Sequence, residues 1–310
     1  MNLFFAPLQG YTDAAYRIFH GEIYPGCIDC YYTPFMRVEQ GMPRKKDLKD
    51  LEHKSSSIKI VPQIIVKNVE EFDILVDSIS KLGYSEIDIN MGCPFPLQVK
   101  KGRGAGLLSN PFIATQILQE VSKRSNDMIF SLKMRLGNED NTQWRNLVDI
   151  INRTPLKCIT LHPRNATQQY KGEVSMEEFS NFYNKIQHKI IYNGDLTTLS
   201  QIKNIVKEYP KLYGVMLGRG MLGRPSLAYE YKNGIEMSQS QIVKDLICLH
   251  NKLFQFYLSK LQGESHLLTK MKTYWDFSEQ TIGHKLYKQI KKSSTLSKYN
   301  SIIRTIEDLI

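Results

Sequence analysis

Apolar residues along this chain fall into short runs separated by longer stretches with a different rhythm. Eight runs of four to six residues, rich in β-branched and aromatic side chains, lie at 3–6, 28–33, 60–65, 86–90, 129–134, 158–162, 189–193 and 214–218. Runs of that length, bounded by turn residues, read as buried strands. Between them the apolar positions recur at helical spacing, clearest at 69–82, 111–125, 176–187 and 200–209. Strand and helix in alternation predict βαβ units on a parallel sheet, and eight repeats are the count of a TIM (β/α)8 barrel.

The strand rhythm stops near residue 237. Beyond it Ile242, Leu246, Leu249 and Leu253 keep helical spacing, with Gly263 and Gly283 as punctuation. We therefore expect a barrel over 1–236 followed by a small C-terminal all-helical domain over 237–310. The 310 residues suit a barrel of roughly 250 plus an appendix better than two equal halves. A doubly wound sheet would need a glycine fingerprint after the first strand. The turn there is instead Ala6-Pro7-Leu8-Gln9-Gly10. The glycine-rich segment Gly102 to Gly106 does not directly follow a strand and reads as a mobile loop.

Composition changes this picture only at the edges. Hydrophobic residues at 42% and charged residues at 23% are ordinary globular usage. No apolar run approaches the ~18 residues of a membrane span, and the first ten residues carry no basic lead. A cytoplasmic protein without a membrane anchor is expected, and nothing calls for a protein partner, so a monomer suffices. Five cysteines at 27, 30, 93, 158 and 248 form no disulfide framework, and reduced thiols are expected. Cys158 and Cys248 read as small buried hydrophobes. The Cys27-x-x-Cys30 pair has no second pair to complete a zinc site, and no metal is expected. The net charge of +10 is unevenly placed. Residues 239–310 hold eleven Lys or Arg against six Asp or Glu, half of the excess. A basic terminal module suits an anionic macromolecule such as RNA.

Active sites of (β/α)8 barrels form at the C-terminal strand ends, and here nearly every such end is polar. Gln9 follows the first strand, Gln63 lies in the third, Asn90 and Cys93 follow the fourth, and Lys133 and Arg135 lie at the fifth. His162 and Arg164 mark the sixth, Asn193-Gly194-Asp195 the seventh and Gly218-Arg219-Gly220 the eighth. Glycines after strands 7 and 8 suit a phosphate-bearing ligand, which Arg219 would neutralise. Lys133 interrupts the apolar run Ile129 to Leu132 and needs an anionic partner or a polar cavity. Cys93 stands at the mouth between Gly92 and Pro94, where a thiol serves as acid or nucleophile. Beside it Lys100, Lys101 and Arg103 form a cluster suited to RNA phosphates, which Arg37, Arg44, Lys45 and Lys46 would extend.

These segments together resemble the tRNA-dihydrouridine synthases. The resemblance rests on APLQGYTD near the start, DINMGCP at 88–94, LKMRLG at 132–137, HPRNATQQYKG at 162–172, NGD at 193–195 and GRG at 218–220. It implies FMN in the barrel, NADPH as electron source, and tRNA as the partner whose uridine C5=C6 bond is reduced. Pro7, Leu8 and Gln9 would line the flavin, Gln63 would hydrogen-bond its polar edge, and Lys133 would sit near N1 and the C2 carbonyl. Asn193, Gly194, Asp195, Gly218 and Arg219 would hold the phosphate end, with His162 between flavin and substrate. Asn90, Arg135 and Arg164 would position the uracil or nearby RNA. Hydride would reach C6 while Cys93 protonates C5 of a base flipped from its stack. The sequence departs from the family pattern at Leu8, where Met is commoner, at Gln9, where an acidic residue also occurs, and at Asn165, where Thr is frequent. Two rivals follow from the same residues: a barrel reducing a free pyrimidine, as dihydroorotate dehydrogenases do, and a non-catalytic RNA-binding module.

Overall fold

A computed structural model describes residues 1–53 and 55–308. The apolar runs become eight parallel strands: β1 Asn2–Phe5, β2 Cys30–Tyr32, β3 in two pieces Ile60–Val61 and Gln63–Ile64, β4 Glu86–Met91, β5 Ile129–Gly137, β6 Leu156–Asn165, β7 Ile190–Tyr192 and β8 Gly214–Leu217. They pair in sequence order, and β1 pairs β8 with Phe5 beside Leu217. Closure depends on β3. Its first piece pairs β2 and its second pairs β4, because Pro62 has no N–H to give the ladder. The Pro62 carbonyl still accepts from Asp88 N at 2.8 Å, so the break turns the strand without opening the barrel.

The predicted helices appear as Val69–Lys81, Pro111–Arg124, Met176–Lys185 and Leu199–Glu208 on the outside. Their starts are set by side chains that accept the first free N–H groups: Asn68, Asn110, Ser175 and Thr198. Side chains alternate across each strand. Outward residues such as Ile87, Leu132, Ile159 and Val215 pack against the helices in the main core. Inward ones form a small second cluster of Phe4, Cys30, Tyr32, Val61, Cys158, Ile191 and Met216 that plugs the barrel bottom.

β5 and β6 outrun expectation, reaching Gly137 and Asn165 instead of stopping at 134 and 162. They continue because they pair with each other, Arg135 beside His162 and Gly137 beside Asn165, across a shift in register. This paired extension builds one wall above the rim.

The tail is helical from Gln239–Lys260 to Leu296–Glu307, and Gly263 and Gly283 take positive φ of 86° and 83° between helices. Ile242, Leu246, Leu249 and Leu253 are all buried. A buried polar cluster ties the bundle: Trp275 Nε1 donates to Tyr299 Oη at 2.8 Å, and His250 Nε2 lies 2.6 Å from the same oxygen. The tail docks on the barrel through tyrosine-carboxylate bonds. Tyr257 donates to Asp13 at 2.7 Å, Tyr11 to Asp276 at 2.8 Å and Tyr24 to Asp245 at 2.8 Å. Close approach is completed at Gly223, where a Cβ would lie 2.3 Å from the Phe277 carbonyl oxygen.

All five cysteines are free. Cys248 is exposed, not buried as expected, because it falls on the solvent side of its helix between the inward Ile247 and Leu249. Cys27 and Cys30 are both buried, one in each core, and no metal-holding cluster exists among the described residues. Among the described residues no helix is long and apolar enough to cross a membrane.

Candidate active site

A cleft of about 820 Å³ opens at the C-terminal ends of the strands. Pro7, Leu8 and Gln9 line it from the turn after β1, a turn held by the bond from Leu8 N to Thr12 Oγ1 at 2.9 Å. Asn90 and Cys93 face it after β4, Lys133 and Arg135 from β5, and His162 and Arg164 from β6. Asn193 and Asp195 follow β7, and Gly218 and Arg219 follow β8.

Cys93 is set by its neighbours on both sides. Asn90 Oδ1 accepts from Gly92 N at 2.9 Å and from Cys93 N at 2.7 Å, folding the chain back sharply after the strand. Gly104, at φ 60°, then packs so close that a Cβ there would meet the Cys93 carbonyl oxygen at 2.8 Å. The glycine-rich segment is therefore not a loose loop. It is a buried 3-10 turn over Gly104–Ser109 whose glycines permit close packing under the thiol. Burial pushes the Cys93 thiol up, opposed by the Phe95 backbone N–H and by the Arg135 and Lys133 charges. The net direction keeps it protonated at neutral pH, as a proton donor requires.

Lys133 reaches into the cleft with no hydrogen-bond or ion-pair partner among the described residues. Burial, and then the nearby Arg135, pull its ammonium down to about 8, while Asp88 and Cys93 oppose the fall. An anion beside it would remove that penalty. His162 is neutral: burial, then Arg135, Lys133 and Arg164, hold it well below its ordinary value. Its Nδ1 donates to the Asn193 carbonyl at 2.6 Å, leaving Nε2 to accept from Arg164 at 3.3 Å.

Asp195 lies between two arginines rather than facing a phosphate. Arg219 donates to its Oδ1 at 2.6 Å, and Arg164 binds both of its oxygens. Burial alone would raise this carboxyl, but the two guanidinium groups bring it below the ordinary range. Its backbone holds a left-handed φ of 43°, which a short polar side chain tolerates when neighbours fix it. The carboxylate thus orients cations. Arg219 and Arg164 carry the positive charge at this end of the cleft.

The structure places the other expected residues as follows, and Arg103 is the one whose surroundings conflict with its expected role. Gln63 is fully buried below the cleft, its amide taken up by Asp88 and Asn90. Arg103 is buried in an ion pair with Glu71, at 2.9 and 2.5 Å, and does not reach solvent phosphates. Lys100 and Lys101 are exposed but stand outside the cleft. Gly194 is closely packed, and a Cβ there would lie 2.7 Å from Tyr192 Oη, so that side chain would have to shift. Of the extended basic surface, Arg37 and Arg44 are paired with Glu39, while Lys45 and Lys46 are exposed.

Two features escaped the strand-end reasoning. Tyr170, half exposed, leans over the mouth with the Arg219 guanidinium 4.4 Å and the Arg135 guanidinium 5.4 Å from its ring centre. The tail also supplies a wall, through Asp276, Phe277, Gln280 and Thr281.

The sequence matches the family described as Dihydrouridine synthase (Dus) over residues 4–307. The chain belongs to the dihydrouridine synthase family. It is therefore an oxidoreductase. Among similar proteins, tRNA-dihydrouridine synthase B of Pasteurella multocida is 28% identical over 255 residues, covering 81% of this chain and 73% of that protein. The probable tRNA-dihydrouridine synthase 2 of Bacillus subtilis is 28% identical over 260 residues, covering 81% and 78%. Among solved structures, the old yellow enzyme from Trypanosoma cruzi superposes with a TM-score of 0.55 at 10% identity, over 76% of this dihydrouridine synthase and 89% of that chain. Morphinone reductase in complex with tetrahydroNAD gives 0.53 at 8% identity, over 76% and 88%. These likenesses are of fold, and they place the barrel assignment beyond sequence pattern.

Proposed function

We propose that this chain converts particular uridines of tRNA to dihydrouridine, using FMN held in the cleft and NADPH as reductant, with Cys93 protonating uracil C5. The observation that carries the reading is the pairing of a protonated thiol with an unpartnered ammonium, Cys93 and Lys133, inside one cleft. The residues suit a flavin mononucleotide. Lys133 offers a cation where a reduced isoalloxazine gathers negative charge, and Arg164 and Arg219 offer cations beside the loops after β7 and β8. When bound, FMN supplies the hydride that saturates C6.

The protein's own groups do the rest. Pro7 and Leu8 give the cofactor an apolar flank, and Gln9 a polar one. Asn193, Gly218 and Gly220 shape the phosphate end, Gly220 because a Cβ would lie 2.2 Å from the Leu196 carbonyl oxygen. Asn90 keeps one amide hydrogen beyond its bond to Gln63 for a uracil carbonyl, neutral His162 is held by Asn193 and Arg164 as a fixed wall beside the base, and Arg135 neutralises an adjacent phosphate or carbonyl charge. The base must leave its stack to reach a cleft at the barrel mouth, and Tyr170 gives it an aromatic face at the entrance.

The tail, which we assign to 237–310 as a distinct RNA-holding domain, carries a groove of about 750 Å³ between its last two helices. Lys285, Lys288, Lys292 and Lys298 line it, exposed and with no carboxylate partner among the described residues. Unpaired surface lysines in a row suit a phosphate backbone. The test compares folded unmodified tRNA with free uridine nucleotides in the presence of NADPH. Dihydrouridine in the tRNA alone, with a flavin released on denaturation, is expected. Turnover of the free pyrimidine alone would overturn the reading.

A further inference from the structure

Beneath the cleft, a line of side chains joins the middle of the barrel to the backbone of Cys93. Ser131 Oγ donates to Asp88 Oδ1 at 2.6 Å, and Gln63 Nε2 donates to Asp88 Oδ2 at 2.6 Å. Asn90 Nδ2 donates to Gln63 Oε1 at 2.8 Å, and Asn90 Oδ1 receives the N–H groups of Gly92 and Cys93. Asp88 and Gln63 are fully buried and Asn90 is 7% exposed.

The chemistry of the two ends fixes the direction of the line. Backbone N–H groups only donate, so Asn90 must offer its oxygen to the loop and its NH2 to Gln63. Gln63 must then offer its oxygen to Asn90 and its NH2 to whatever lies beyond. Only an acceptor can stand there, and a carboxylate is acceptor at both oxygens. We infer that Asp88 is a positioning residue for the reaction: through Gln63 and Asn90 it sets the polarity of a buried amide line that holds Cys93 at the mouth. The inference rests on the reading of Cys93 as proton donor, and it gives Gln63 the task of a link.

Because the Ser131 hydroxyl could accept an amide NH2 as readily as it donates, the single change that breaks this end is Asp88→Leu, which leaves the Gln63 NH2 with no acceptor. Gln63→Glu sets two carboxyls together. The double variant, Asp88→Asn with Gln63→Glu, restores the order. The amide introduced in place of Asp88 then donates to the carboxylate introduced in place of Gln63, which still accepts from Asn90. Two measurements on the full-length flavin-loaded protein decide the matter. One is carbamidomethylation of Cys93 by iodoacetamide, read by peptide mass spectrometry against the exposed Cys248 in the same sample. The other is dihydrouridine formation in unmodified tRNA.

Each single variant should shift the Cys93 to Cys248 labelling ratio and lower turnover by about tenfold, and the double should return both to within about twofold of the parent. A Gln63→Glu protein that unfolds while the double folds would express the same restored order. Singles with parental labelling and turnover, or a double that is no better than Gln63→Glu or does not fold, would overturn the assignment. The labelling ratio reports placement of the thiol whether or not it is the acid. A Cys93→Ala protein that still forms dihydrouridine would sink the proton-donor reading by itself and leave the labelling result standing.

Discussion

The cleft and the tail groove are both cationic, and they hold their charge in opposite ways. In the cleft every cation is constrained: Arg164 and Arg219 share one aspartate, Arg135 donates to the Asn165 carbonyl at 2.8 Å, and Lys133 is pulled down by its surroundings. In the groove the four lysines are exposed and unpaired among the described residues. Fixed charge in a confined site discriminates between ligands by geometry, whereas mobile charge at a surface adds affinity that salt screens away. Recognition of a nucleic acid followed by chemistry on one base needs both kinds.

The sharpest break of this contrast is Cys93→Ala. Loss of a general acid should lower dihydrouridine formation by roughly 10²- to 10⁴-fold, with tRNA affinity unchanged in a binding assay. Lys133→Met comes next. It should weaken flavin retention by roughly ten- to a hundredfold, the worth of one charge-assisted contact, and this is read by flavin titration of the stripped protein. In the groove, the pair Lys288→Gln and Lys292→Gln should weaken tRNA binding by about tenfold and reduce the dependence of log affinity on log salt by about two. Turnover at saturating tRNA should stay as it was.

The smallest effect is that of pH. The thiol is the active form and burial raises it above the ordinary range of about 8.5. Single-turnover reduction should therefore be flat, within about twofold, from pH 6 to 8 and fall as pH rises through the thiol's raised value. A decline already between pH 8 and 7 would mean that the thiolate acts, whereas one near pH 6 would report protonation of Asp88, which burial raises to about 6.

Most of the barrel was legible because each strand is a contiguous apolar run, and contiguity is what a sequence displays directly. Pro62 stood in the third run in plain view, but the division of labour it imposes depends on which strands flank it. The rim extensions of β5 and β6 were hidden for a related reason. Arg135 to Gly137 and Pro163 to Asn165 are not apolar runs, and their strand conformation comes from pairing with each other.

Among site residues, those at strand ends were readable from position alone. Arg103 was misread because its partner Glu71 lies 32 residues away, on a helix that packs beside it. The contacts of Gln63 were hidden for the converse reason: its strand was readable, but only Asp88 and Asn90 on the adjacent strand show where its amide goes. Tyr170 gave no strand-end signal, standing eight positions past His162 in a loop that folds back over the mouth.

A chain cut at residue 236 would keep all eight strands and every charged strand-end group. It would still lose Phe277 and its neighbours, and Gly223 would face water where it now meets a backbone carbonyl. What such a cut removes first is the enclosure of the reaction chamber, before any grip on RNA. For exchange of tails between relatives, the hinge worth preserving is thus a seam of backbone against backbone, too tight for even a methyl group.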